Sequence, residues 1–473
     1  MELLGLDSKK SSIFAPQKST IDRTMKFFII SITSILLFAG YANGGNNTGI
    51  APLKEQPAQL QEQNQSQMTI VTNNNIKNGD KDMEKYRELV SFLKASYPNI
   101  IRPAYGSIPY PYLIPGGFYS QQWDWDAYFM AIHLCNRKDA QPIYLKYWVD
   151  NFLSIFDPNE DTPACVRADE KVVRHPSLIL KPFFARGAVR AMKDNHDEAW
   201  GKEVFPKVES TIERWERVRR DKPTGLFFWH DAMMSGADNN PAIGNDPEDN
   251  DQVLYCDVNA YIYAEYLALS EMASILGYKD KAKTYEKKAE ALKAAIIKYL
   301  YHEDEHMFWN RRRDGQIIRR NAFSNYIPLT FNILPQEQGS KVIKEHLLKP
   351  DMFSPYGFRS LSRSDFEYNN ACIIAPYSNW QGPIWVNANY YLCIALNNYG
   401  FHEEAKEATR RVAQTLLSDL HNCGSLHENY CGDCGGGLAP SADMNNGKEG
   451  GFVSWNLLIV DMLEENFPDI FKE

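Results

Sequence analysis

Two amphipathic runs, Val258 to Leu276 and Lys279 to Leu300, stand back to back with only Gly277 and Tyr278 between them. Apolar residues recur in both at three- and four-residue spacing, and Ala, Leu, Glu and Lys dominate, so each reads as a helix. Glycine stops the first helix and turns the chain into the second. This pairing is what most limits the possible folds, because similar stretches recur near 82–96, 125–135, 140–154, 177–194, 197–219, 384–399, 402–419 and 453–466. Short connections alternate with long ones at 220–256, 305–335, 350–383 and 421–452. Helix pairs stacked around an axis satisfy that rhythm. An all-α (α/α)6 barrel of six helix pairs is the expected architecture. Short Val/Ile/Phe-rich pieces occur, but no alternating period is long enough to predict a sheet. Residues 81–473, about 390 of them, suit one such domain.

The segment ahead of that domain reads as an address. Met25-Lys26, the apolar run Phe27–Ala39 and Gly40-Tyr41-Ala42 have the order of a secretory signal peptide, so 25–42 is expected to direct export to the periplasm or beyond. Its 13 apolar residues are too few for a bilayer, which takes roughly 20, so no integral membrane span is expected. No Cys follows the run, which argues against a lipid anchor. Residues 1–24 are polar and unlike a signal, and read as an extension ahead of a start at Met25. Residues 43–80 are rich in Asn, Gln and Gly, the composition of a disordered linker.

Composition narrows the partners. A formal charge of −9 and the lack of a basic stripe exclude a nucleic-acid role. Eight cysteines in an exported chain permit disulfides without requiring them. Cys423, Cys431 and Cys434 cluster in sequence, but Cys431-Gly432-Asp433-Cys434 has no second Cys or His pair at the usual distance. A local disulfide or free thiols are favoured there over zinc, and no metal or cofactor is expected.

Aromatic residues make up 13% of the chain, and part of that is simply core. The aromatic clusters in the long connections differ, because they sit among amides and carboxylates. Pro115-Gly116-Gly117 leads to Trp123-Asp124-Trp125-Asp126, where one Asp is expected to cap a helix and Asp126 to face a ligand. Trp229 precedes Ser235-Gly236-Ala237-Asp238-Asn239-Asn240-Pro241. Trp380-Gln381-Gly382-Pro383-Ile384-Trp385 opens a helix with Pro at its start. Leu426-His427-Glu428-Asn429-Tyr430 precedes Phe452-Val453-Ser454-Trp455-Asn456. Stacking rings beside hydrogen-bonding groups suit a saccharide, and Trp123, Trp125, Asp126, Trp229, Asn239, Trp380, Gln381, Gly382, Trp385 and Trp455 are the candidate contacts. Asp238 and Glu428 are the candidate acid and base. Composition alone leaves Asp238 as a turn residue, since Asp favours turns.

Taken in order, Pro-Gly-Gly…Trp-Asp-x-Tyr-Phe, Ser-Gly-x-Asp-Asn-x-Pro, Trp-x-Gly-Pro-x-Trp, Glu-x-Tyr and a late Phe-x-Ser-Trp resemble glycoside hydrolase family 63. The resemblance runs from about Ser91 to Leu463, and family 37 trehalases are more distantly similar. It implies an (α/α)6 barrel that cleaves α-glucosidic or α-mannosidic bonds of a small saccharide or glycoside with inversion. It also implies Asp238 as general acid, Glu428 as general base, and Trp125 with Asp126 holding the sugar. Gln381 departs from the pattern, standing where many relatives have Arg. Cys431 to Cys434 interrupts a stretch that in relatives is a plain turn. Inverting pairs stand roughly 6.5–9.5 Å apart to admit a water. A trehalase is one alternative, and a non-catalytic glycan-binding barrel is another, although the latter would need neither carboxylate. Epimerases and lyases on such barrels rely on His, Tyr or Arg, whereas the paired motifs here are acidic.

Overall fold

Helices carry the architecture, and they fall into two kinds. In a computed structural model the described residues are 79–472 without 118, 138–139, 170–171, 173, 244–252, 375–376 and 440–450. The expected extension, the signal peptide and all but the last two residues of the expected linker lie outside them. The main helices are α1 (Gly79–Ala95), α2 (Asp124–Cys135), α3 (Ile143–Leu153), α4 (Phe184–Asp194), α5 (Glu198–Arg219) and α6 (Cys256–Ile275). They continue with α7 (Lys279–Leu300), α8 (Ile327–Thr330), α9 (Gln336–Val342), α10 (Val386–Asn398), α11 (His402–Cys423) and α12 (Leu458–Asn466).

Helices α2, α6, α10 and α12 are buried on nearly all sides, whereas α5, α7 and α11 bury one stripe and show Lys, Arg and Glu on the other. A helix apolar all round must have neighbours all round. Accordingly α2 packs on α4, α4 on α6, α6 on α8, α8 on α10, α10 on α12, and α12 on α2. Outside these, α3 packs on α2 and α4, α5 on α4 and α6, α7 on α6, and α11 on α10 and α12. Helix α1 lies against α11.

Most expected helices appear within a few residues of their sequence bounds. The stretch expected from 177 begins only at Phe184, because Pro182 biases its predecessor away from helix and the Lys181 N–H is taken by the Asp124 carboxylate. Helix α9 and the π-turn Ile343–Leu347 carry no sequence expectation. The strands are two or three residues long and form pairs, such as Gln122–Trp123 with Cys165–Val166 and Asn429–Tyr430 with Gly437–Ala439, apart from one three-stranded sheet of Val253–Leu254, Asn310–Arg312 and Ile317–Ile318. Among the described residues no helix is long and apolar enough to cross a membrane.

The candidate residues lie in the first turn of α2 or in the connections that enter α6, α10 and α12. Each of these helices is held from many sides, so its entry is a fixed platform for a loop.

Close packing between the two kinds of helix can be tested at Gly187 in α4. A Cβ added there would sit 2.5 Å from the Trp148 ring of α3. Ala in a helix interior normally gains roughly 0.5–1 kcal/mol over Gly, but overpacking costs about 1–3 kcal/mol. Gly187→Ala is therefore expected to lower the denaturation midpoint, read by circular dichroism. An unchanged or raised midpoint would contradict that packing.

Candidate active site

Four separate connections meet around a nest of tryptophans. Trp125, in the first turn of α2, is partly open, with its ring 5.7 Å from Trp380 and 5.5 Å from Trp455. Trp380 lies parallel to Trp385 at 3.8 Å, and Trp385 stands 5.7 Å from Trp455. Trp380, Trp385 and Trp455 are buried, so they form a wall behind Trp125 and leave that ring as the accessible face of the nest. The Lys181 ammonium sits 5.1 Å from the Trp125 ring centre, a cation–π contact. Gly236 packs so closely here that a Cβ would fall 2.6 Å from Lys181 and 2.7 Å from Trp125.

The carboxylates are set into this nest. Asp231 begins the short helix Ala232–Ser235 by accepting from the Met234 N–H at 2.8 Å, and its other oxygen accepts from the Ser177 hydroxyl. Gly236 ends that helix in the left-handed region at φ 85°, which turns Asp238 back over the nest. Asp238 accepts from the Ser378 N–H at 3.3 Å, and Asn239 accepts from the Trp380 N–H at 2.6 Å. The acid's loop is thereby tied to the entry of α10. Glu428 precedes the Asn429–Tyr430 strand, and Ile384 and Tyr430 exchange backbone bonds at 2.7 and 3.0 Å. The α10 entry is thereby tied to the segment bearing Glu428. The Trp455 indole donates to the Glu428 carbonyl at 3.2 Å, and the Ser454 hydroxyl donates to Asp126 at 2.9 Å.

Burial dominates the electrostatics. It raises Asp238 to about 7, a rise that Asp231 reinforces and that the Ser378 N–H and Lys181 oppose. Burial also raises Asp126 to about 7, against the Ser454 hydrogen bond. Glu428 is pushed up to about 8 by burial, then by the charge of Asp126 and of Asp238, while the Tyr119 hydroxyl opposes this by donating to it at 3.1 Å. Glu428 feels the charge of both aspartates, so its titration is tied to theirs and a proton is kept near neutrality.

Several expectations need correction. Neither Asp124 nor Asp126 caps α2, whose capping position is held by Trp123 with no side-chain bond. Asp124 instead pairs with Lys181, accepting from its backbone at 2.8 Å and its ammonium at 3.1 Å. Trp229 is fully buried, donates to Asp257 at 2.9 Å and packs edge-on against Trp215, so it is a core residue with no face for a ligand. Trp123 is partly buried in the strand facing Cys165. Gln381 accepts from Asn369 at 2.9 Å and donates to the Asn239 carbonyl at 3.4 Å, which makes it a brace between loops. Gly382, at φ 150°, meets the Asn369 carbonyl where a Cβ would be 2.4 Å away. Cys423, Cys431 and Cys434 are free thiols, one of the two outcomes expected for them. Tyr119, Lys181 and Ser378 are not singled out by sequence, whereas Asp231 is expected as a negative neighbour of Asp238 and does raise it. Tyr119 follows the Pro-Gly-Gly turn and carries a signal, whereas Lys181 and Ser378 stand in segments that carry none.

Residues 119–443 match the mannosylglycerate hydrolase MGH1-like glycoside hydrolase domain. The chain belongs to this glycoside hydrolase family. It is 21% identical over 417 residues to mannosylglycerate hydrolase MGH1 of Selaginella moellendorffii, covering 73% of this chain and 80% of that one. It is 23% identical over 294 residues to a probable mannosyl-oligosaccharide glucosidase of Schizosaccharomyces pombe, covering 57% of this chain but only 32% of the relative. The chain thus spans about a third of the mannosyl-oligosaccharide glucosidases it matches. The family 63 mannosylglycerate hydrolase of Thermus thermophilus, solved with Tris, shares the fold with a TM-score of 0.59 at 17% identity, over 78% of this chain and 99% of that one. Membership in the family makes the carboxylate cluster the catalytic candidate of a glycosidase.

Burying these carboxyls has a pH-dependent cost. Their folded values, about 7 to 8, lie above the ordinary 3.8 and 4.5. Their contribution therefore favours the fold fully below about pH 4 and is lost as pH rises to about 8. By pH 9 the whole cluster is ionised and that stabilisation is gone. Glu428→Gln is expected to raise the denaturation midpoint at pH 9 by several degrees and to change it little at pH 5. An equal shift at both pH values would mean that the carboxyl does not titrate in this window.

Proposed function

We propose that the protein is an inverting α-glycoside hydrolase acting on the glucosidic or mannosidic bond of a small saccharide or glycoside. The observation that carries this reading is that half-buried Asp238 and buried Glu428, 190 positions apart in the sequence, are brought close enough for the charge of one to act on the other. The cycle of helix contacts supports a closed (α/α)6 barrel whose connections hold the site. The apolar run Phe27–Ala39 supports export.

In this reading the sugar stacks on Trp125 and bonds Asp126. Protonated Asp238 gives its proton to the glycosidic oxygen as the bond to the anomeric carbon breaks. Ionised Glu428 takes a proton from a water that attacks that carbon from the opposite face. Burial lets Asp238 hold a proton near neutrality. It raises Glu428 further, so the reactive form, with the proton on Asp238 alone, is the minor singly protonated one. Tyr119 steadies the ionised form of Glu428, partly offsetting the same burial. A trehalase reading is supported by the 22% identity to the periplasmic trehalase of Pseudomonas aeruginosa, over 74% of this chain and 72% of that one.

The decisive experiment is a screen of α-glucosides, α-mannosides, trehalose and glycosylglycerates, with the first-formed anomer read by NMR. The β anomer from an α-glycoside supports the reading, and a retained α anomer or an unsaturated product overturns it. Asp238→Asn and Glu428→Gln are each expected to lower kcat at least about a hundredfold, the scale of general acid–base catalysis, with circular dichroism unchanged. Near-normal turnover in either would remove that residue from the mechanism.

The pH profile is a separate test. With the pair near 7 and 8, kcat/KM is expected to follow a bell peaking between them. Tyr119→Phe removes a hydrogen bond that favours ionised Glu428, so the Glu428 limb should move to higher pH. A limb that stays in place would show that the Tyr119 hydroxyl does not act on this carboxyl.

A further inference from the structure

Asp419, Cys423 and His427 converge beside the carboxylate cluster, and the glycosidase reading uses none of them. Asp419 and Cys423 are four residues apart in α11 and share one face of it. Gly424 ends the helix in the left-handed region at φ 67°, so the chain reverses and brings His427 back over that face. One donor atom from each of the three side chains lies within 4.8 Å of the other two. The His427 Nδ1 stands 2.9 Å from both Asp419 oxygens, and both residues are buried. Cys423 is exposed. The sequence expectation of no metal weighs Cys431 and Cys434 and does not consider this trio.

We propose that Asp419, Cys423 and His427 bind one zinc ion, with solvent as the fourth ligand on the open Cys423 side. The donor set selects the metal. Thiolate, imidazole and carboxylate suit zinc, whereas calcium and magnesium take oxygen ligands. Charge also balances, since one carboxylate and one thiolate neutralise the dication. Bond lengths of about 2.0–2.3 Å place the donors of a tetrahedral site roughly 3.3–3.8 Å apart. The trio must therefore close by about 1 Å from its present span, a movement that rotation of the exposed Cys423 side chain can supply.

Binding replaces the hydrogen bond between Nδ1 and the carboxylate. The His427 backbone N–H still donates to Asp419 at 3.0 Å and orients that ligand. Zinc uptake displaces the thiol proton of Cys423 to solvent. The ion has no part in glycoside cleavage. It clips the end of α11 to the residue immediately before Glu428, whose carbonyl is already held by the Asn456 amide at 2.8 Å.

The test uses the full chain stripped of metal with a chelator and titrated with cobalt(II) as a spectroscopic stand-in for zinc. A thiolate-to-cobalt charge-transfer band should grow to one equivalent and be displaced by zinc. Cys423→Ser should lose the band and weaken zinc binding at least about tenfold, while Cys431→Ser keeps both. Zinc should raise the denaturation midpoint of the stripped parent but not of Cys423→Ser. Absence of the band overturns the proposal and leaves Asp419 and His427 as a hydrogen-bonded strap. A band that survives Cys423→Ser but is lost in Cys431→Ser or Cys434→Ser also overturns it, by placing the metal elsewhere.

Discussion

Asp126 and Glu428 are buried, Asp238 is half-buried beside them, and Glu428 feels the charge of both; much of the surrounding structure exists to hold them there. Carboxylates left to relax would turn outward to water, because an unpaired buried charge costs several kcal/mol. Here each is gripped by a partner from another connection. Ser378 holds Asp238, Ser454 holds Asp126 and Tyr119 holds Glu428. The same burial that penalises the folded state at alkaline pH keeps a proton available near neutrality.

Those grips work only if the connections are themselves fixed. The acid's loop leans on the backbone of Trp380, and the two ends of Gln381 reach Asn239 and Asn369. Ile384 and Tyr430 carry the brace across to the segment bearing Glu428. This is why a glutamine at 381 is intelligible on structural grounds. Its amide has one acceptor and donors that point to different loops, which a guanidinium, having donors only, cannot reproduce in the same way.

How much of this is legible in the sequence varies with the range of the interaction. Helix periodicity is local, and α6 and α7 lie almost where their apolar spacing puts them. The start of α4 escapes the local pattern because Asp124, 57 positions away, captures the Lys181 N–H and decides the boundary. Trp229 and Trp125 look alike in sequence, each near an acidic residue, yet one is sealed in the core and the other is partly open. No local pattern separates them, since burial is set by which helix arrives from elsewhere. Asp238 and Glu428 stand out because ordered motifs surround them, whereas Lys181 and Ser378 act on the site from segments with no motif of their own.

The tryptophan nest has a consequence outside catalysis. Two indoles stacked in parallel at 3.8 Å, with a third ring tilted against them, form a coupled chromophore fixed in a chiral frame. Its outermost ring, Trp125, is the one left accessible and the one beside a buried ammonium. The molecule therefore carries an intrinsic optical gauge at its own mouth. Whatever settles on that ring will change its emission and near-ultraviolet dichroism without any added label.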